Sequence, residues 1–200
     1  VGYSFSYDLR DDRFFPTEGY SLQFNQELAG LGGNVNYLRT SASGQFHFSP
    51  FRRNVVFSLT FEEGFIHGLG DNVAITDRFF IGGDDFRGFA SSGIGPRDKI
   101  TNDSLGGRLY YITTAEVGFP VGLPEDLGVR GKLFIDVGSL GLHSSSSADV
   151  YANGGVRASY GFGINWMSPL GPLRLDWAWP LKSESYDRLE EFRFSIGTRF

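Results

Sequence analysis

From Val1 to Leu9 apolar and polar residues alternate without a break. Val1, Tyr3, Phe5, Tyr7 and Leu9 fall on one side, and Gly2, Ser4, Ser6 and Asp8 on the other. Successive side chains of an extended chain point to opposite faces, so the stretch reads as a strand with one apolar face. The same period returns throughout. Tyr20, Leu22, Phe24 and Leu28 oppose Ser21, Gln23, Asn25 and Glu27, and from Val35 to Phe48 Leu38, Ala42, Phe46 and Phe48 oppose Tyr37, Arg39, Gln45 and His47. Further strands are expected around Val55–Phe65, Leu109–Phe119, Val129–Val137, Val156–Trp166, Leu173–Trp179 and Phe192–Phe200. Each is roughly ten residues long, enough to cross a bilayer at a tilt. No helical period competes, and no apolar run approaches the roughly 18 residues of a transmembrane helix.

The polar face decides which side is inside. It carries Arg108, Glu116, Arg130, Lys132, Asp136, Arg157, Arg174, Asp176, Arg193 and Arg199. A soluble sandwich or lipocalin-like barrel would turn its apolar face inward. An ionic face belongs inside only where the apolar face meets lipid. Connection lengths point the same way. Short turns such as Asp11–Gly19, Ser49–Arg52, Pro120–Gly128 and Ser168–Pro172 alternate with longer polar segments such as 142–154 and 182–190. Only the Gly30–Asn34 turn is short where a long loop would fit. The expected fold is therefore all-β, an antiparallel transmembrane β-barrel of about nine strands. Nine is odd, whereas single-chain bacterial barrels have even counts, and an unpaired edge in lipid is costly. The expectation is that this chain is the C-terminal portion of a larger barrel.

One segment, about 69–105, has no strand period, and it is too rich in Phe for a solvated linker. It contains Arg78-Phe79-Phe80-Ile81-Gly82-Gly83-Asp84-Asp85-Phe86-Arg87-Gly88-Phe89. Gly82, Gly83 and Gly88 permit tight turns, and Arg87 sits between aromatics, as a cation carried into an enclosed site would. The reading is a loop that folds back into the barrel and enters by way of Arg87. From the residues alone, a solvated Arg87 with Glu116 and Asp136 as ordinary lumen charges stands equally open.

Chemistry of other kinds finds little footing. The net charge of -5 and the lack of a basic run argue against a nucleic-acid surface. With no Cys, disulfide and thiol chemistry are excluded. His47, His67 and His143 are scattered without metal spacing, and Asp84-Asp85 lacks the ligand pattern of a calcium loop. No nucleophile elbow or phosphate cradle is present. No cofactor, no metal and no enzymatic activity are expected.

The loop motif resembles that of the BamA family of outer-membrane assembly barrels. Arg78 to Gly83 and Phe86-Arg87-Gly88-Phe89 look like that family's sixth extracellular loop and its V/I-R-G-F motif, with Phe86 in place of an aliphatic residue. Gly93-Ile94-Gly95-Pro96-Arg97 and Asn165 to Leu173 match as well. The closing stretch, with Phe192, Phe194, Gly197 and Phe200, resembles the family's β-signal. The resemblance implies a sixteen-stranded barrel preceded by periplasmic POTRA domains, of which residues 1–200 would be barrel. It implies that Arg87 pairs in the lumen with acidic residues on the next strands, by position Glu116 and Asp136. It also implies a bacterial outer-membrane protein that folds and inserts other β-barrel proteins. Its partners would be the outer-membrane bilayer, nascent outer-membrane proteins and accessory assembly lipoproteins. The rival readings are a polypeptide-exporting barrel of the same superfamily, a passive porin, and a membrane enzyme built on loops.

Overall fold

The computed structural model describes the chain except for residues 14, 31–34, 52–54, 71, 142–148, 152–153, 170 and 198–200 and the side chains of 51 and 125. Nine strands form one antiparallel sheet in chain order: β1 (Gly2–Asp8), β2 (Gly19–Ala29), β3 (Tyr37–Phe51), β4 (Val55–Gly68), β5 (Leu109–Pro120), β6 (Val129–Gly141), β7 (Arg157–Ser168), β8 (Gly171–Lys182) and β9 (Phe192–Ile196). Every neighbour in space is a neighbour in sequence, as expected of an up-and-down barrel wall. No helix among the described residues is long and apolar enough to cross a membrane, which says nothing about strands.

The alternation read from the sequence sets the faces. Phe57, Leu133, Ile135, Tyr160, Phe162 and Phe194 stand exposed on one side, while Lys132, Asp136, Ser159 and Asp176 are buried on the other. Apolar side chains exposed in such numbers on one face fit a lipid-facing surface. The inner face is not uniformly polar, however. Towards the end that carries the long loop, Tyr37, Ile66, Ile112 and Leu140 face inward. They pack with Val73, Phe79, Ile81, Phe86, Phe89 and Ile94 of the loop into one buried cluster. The apolar core thus lies inside the wall, between loop and strands. Phe86 and Phe89 are fully buried and meet edge to face at 5.2 Å. Burial on that scale stabilises by about 1.5–3 kcal/mol per side chain.

Several expected boundaries move. Ser49-Pro50-Phe51 is not a turn but the end of β3, which continues through a register shift between Phe48 and Phe51 to pair Phe51 with Val55. An irregularity of this kind accommodates Pro50, which has no amide to give the ladder. The segment without strand period spans 69–108, between β4 and β5. Two expected polar loops contain short pairings with it: Val150–Tyr151 with Arg97–Asp98, and Leu189–Glu190 with Gly88–Phe89. Such pairs are set by contacts far apart in the chain, so local alternation does not reveal them. Gly197 lies beyond the last ladder at φ +108°, a region glycine adopts without strain. Its N–H still donates to the Pro172 carbonyl of β8 at 2.8 Å. Phe200, His143 and most of Gly30–Asn34 lie outside the described residues.

Candidate functional site

Segment 69–108 turns inward through Gly82 and Gly83, at φ +137° and +69°, and brings Arg87 to the inner wall. A Cβ on Gly82 would fall 2.0 Å from the Ala90 carbonyl oxygen, so the turn closes tightly enough to require glycine there. The Arg87 Nε and Nη2 groups donate to Oδ2 and Oδ1 of Asp136, each at 2.8 Å, and Nη1 donates to Glu116 Oε2 at 2.9 Å. Its backbone N–H also donates to Asp136 Oδ2 at 3.2 Å, and its carbonyl accepts from the Ser159 hydroxyl at 2.6 Å. Thr114 Oγ1 donates to Asp136 Oδ1 at 2.8 Å. One residue is therefore held at backbone and side chain from β5, β6 and β7. A planar guanidinium gripping one carboxylate through two parallel bonds gains direction as well as energy.

Phe134, which the sequence did not single out, completes this layer together with the inward charges Lys132 and Asp176. Phe134, inward despite its aromatic ring, lies under the Arg87 guanidinium with 3.4 Å between its centroid and the guanidinium carbon. Lys132 Nζ sits 2.8 Å from Asp176 Oδ1 and 4.0 Å from Glu116 Oε2, extending the network to β8. Small residues on β7 make room. A Cβ on Gly161 would meet the Phe134 ring at 2.6 Å, and one on Gly163 would meet Asp176 Oδ1 at 2.2 Å. The two carboxylates that hold Arg87 differ in wetness. Asp136 is dry, with its side chain 1% exposed, while Glu116 keeps 24%. Phe86, which stands where the BamA-type motif has an aliphatic residue, fills the space over Gly138, whose Cβ would stand 2.8 Å from its ring.

A second cluster joins β7 to the segment between β8 and β9. The side chains of Arg157 and Asp187 are both fully buried. Arg157 Nε and Nη2 donate to Asp187 Oδ2 and Oδ1 at 3.0 and 3.1 Å, and Nη2 also reaches the Tyr186 hydroxyl at 3.1 Å. Burial pushes the Tyr186 phenol above its ordinary range, against the pull of the neighbouring Arg157. Tyr186 stacks on Tyr151 with 4.6 Å between ring centroids. The sequence signal is slight: Arg157 is one of many inward charges, and Asp187 lies in the polar segment 182–190. Of the expected seam strand, Phe192 and Phe194 are on β9 and exposed outward, and Gly197 is just past it. Among the described residues no group of three or more His, Cys, Asp or Glu is placed to hold a metal ion.

The geometry can be set beside known proteins. The Omp85 superfamily domain matches residues 1–200. The outer membrane protein assembly factor BamA of Neorickettsia risticii is 37% identical over all of this chain, which spans 27% of that protein. BamA of Neisseria meningitidis is 31% identical over 95% of the chain, again 27% of its own length. The human sorting and assembly machinery component 50 homolog is 30% identical over 96% of the chain and 44% of its own length. This chain therefore covers between about a quarter and under a half of these relatives. In fold, the crystal structure of BamA from Haemophilus ducreyi lacking POTRA domains 1–3 superposes with a TM-score of 0.88 over 96% of this chain and 41% of that one, at 22% identity. With its wall of strands, its inward loop and a match along its full length, the chain belongs to the Omp85 superfamily.

Proposed function

We propose that this chain supplies barrel wall and lumen plug to a protein of the bacterial outer membrane that folds and inserts other β-barrel proteins. The observation that carries the reading is the pinned loop. Arg87 is buried against Asp136 and Glu116, and the loop's apolar side is packed on the inner wall, so the lumen beside these strands is filled with protein. A passive porin needs that space for water. Similarity along the whole chain to proteins named as assembly factors supports the same conclusion.

Mechanistically, the work falls to strand edges rather than to catalytic groups. Among the described residues β9 pairs with β8 from Phe192 to Ile196, opposite Leu173 to Trp177. Its other edge borders the seam, which opens to admit a client strand. A nascent outer-membrane strand then adds to the freed edge through main-chain hydrogen bonds. The plug keeps the neighbouring wall in shape while the seam moves, and accessory assembly lipoproteins deliver or guide clients. The test uses the intact protein, to which cysteines can be added against a background without them in this chain. A disulfide locking β9 to the strand across the seam should stop assembly of client barrels, and reductant should restore it. Unchanged assembly under the lock removes the gating mechanism. Large steady currents in planar bilayers would identify a porin instead.

A further inference from the structure

The wall has a second inward fold, at the end away from the long loop. Beyond β1 and β2 the hairpin ladder runs on, with Leu9 N–H donating to the Tyr20 carbonyl at 2.8 Å and Asp11 N–H to the Glu18 carbonyl at 3.1 Å. Gly19 lies in this ladder at φ +102°, and a Cβ there would fall 2.2 Å from the Leu9 carbonyl oxygen. A left-handed glycine within a ladder bends the hairpin. Here the bend is inward. Arg10, paired with Asp8, donates through Nη1 to Gln45 Oε1 on the inner face of β3 at 3.1 Å. Phe15, Pro16 and Thr17 line a cavity of about 190 Å³ together with Val56, Gly118 and Arg130, all on the inner face. The turn therefore reaches past β3 to the inner side of β4, β5 and β6. Val56 is buried although it lies outside the plug's apolar cluster.

His47, Ser58, Glu116 and Asn165 line that cavity too, and the same four line a second one of about 170 Å³ beneath the plug, with Asp84 and Arg87. From this we infer that the turn between β1 and β2 is a second lumen cover, and that it and the plug bound one polar chamber against β3 to β7. Glu116, the wetter of the two carboxylates that hold Arg87, faces this chamber. His47 Nε2 and Asn165 Oδ1 are buried there without a protein partner, as groups bonded to water are. The cover is stiff. Asp11 accepts from the backbone N–H groups of Asp12, Thr17 and Glu18 and from the Thr17 hydroxyl, and Pro16 has its φ fixed by its ring. The turn thus controls what reaches the pinned arginine from its end of the wall, as the plug does from the other. Naming that end the periplasmic one rests on the proposed function; the cover itself does not.

Thiol labelling of the full-length protein in lipid nanodiscs, in a background without other cysteines, tests it. Ser58→Cys keeps the size of the side chain and places the probe in the chamber. A charged methanethiosulfonate should modify it about ten-fold or more slowly than Asp126→Cys, on the exposed turn between β5 and β6. Equal rates overturn the cover. Asp11→Ala undoes the bonds that stiffen the turn. Ser58→Cys should then react about ten-fold faster, with protease nicking of segment 69–108 unchanged. A rate that does not rise overturns the cover, and a rise accompanied by nicking overturns it too, by placing the barrier in the plug. Should Asp11→Ala fail to fold, Thr17→Cys and Gly118→Cys serve as a pair. A Cβ on Gly118 would meet nothing nearer than 3.9 Å, so a cysteine fits, and bismaleimidoethane should bridge the two within one chain. Absence of that bridge overturns the inward fold. Assembly of client barrels is measured in parallel. A covered chamber in a protein that assembles no clients would sink the proposed function and leave the cover standing.

Discussion

The guanidinium of Arg87 stacks on Phe134 while it grips Asp136, two residues further along the same strand face. Aromatic ring and carboxylate therefore approach one cation from one strand, and the register of β6 alone sets both contacts. A lysine would keep the charge but lose the two parallel bonds and the planar stack.

Arg87→Lys should accordingly loosen the plug, with Arg87→Ala worse because it leaves Asp136 buried without its cation. Removing one partner of an enclosed pair costs about 3–5 kcal/mol when the site is dry. Asp136→Asn should approach that range. Glu116→Gln, at the wetter carboxylate, should cost less. Denaturant titration of the intact protein, with protease nicking of segment 69–108 as a local probe, checks the order. Equal losses for Asp136→Asn and Glu116→Gln would contradict it.

Gly138→Ala tests the packing of the loop tip. The added methyl would meet the Phe86 ring at 2.8 Å and the Tyr111 carbonyl oxygen at 2.5 Å. Overpacking of this kind costs about 1–3 kcal/mol. Pairing the change with Phe86→Val, which returns an aliphatic residue, should recover part of the loss. Thermal unfolding of the single and double variants measures it, and additive losses would mean that the two residues do not share the space.

Ile135 lies near the middle of β6 and points outward, 48% exposed. Ile135→Arg should destabilise the membrane-inserted protein by about 2–4 kcal/mol, as a cation facing lipid at mid-depth does. Refolding equilibria in lipid vesicles give the value. Tolerance of arginine at this position would contradict the lipid-facing assignment of that wall.

The turn between β1 and β2 is closed by Asp11. Its Oδ1 accepts from the backbone N–H groups of Asp12, Thr17 and Glu18, and its Oδ2 from the Thr17 hydroxyl. The Thr17 hydroxyl bond and these amides hold its carboxyl well below the usual range. A depressed folded-state pKa contributes stability that is complete above the unfolded value of about 3.9 and is lost as pH falls through the folded one. The stability gap between the wild type and Asp11→Asn should therefore be constant from pH 7 down to about 4 and shrink below it. A gap that widened on acidification would reverse the sign of the argument.

Much of this protein is written locally. A period of two places Phe57, Leu133 and Trp177 on one side and Lys132, Asp136 and Asp176 on the other, because neighbouring side chains of a strand have nowhere else to point. The charges on the second set then require a watery interior and a lipid exterior. The segment around Arg87 was likewise visible, as a break in that period carrying glycines and aromatics no linker needs. Three things were decided only in the folded chain. Phe134 became the platform for Arg87 because the register of β6 against β5 and β7 brought its ring there. Arg157 and Asp187, thirty residues apart, became one buried pair only when the segment before β9 folded onto the plug. Leu189 and Glu190 came to lie opposite Phe89 and Gly88 only when the plug folded against the segment before β9. Alternation reports which way a side chain faces, since that depends on its immediate neighbours. Pairing depends on which backbone groups remain unsatisfied once distant segments meet, and only the tertiary structure determines that.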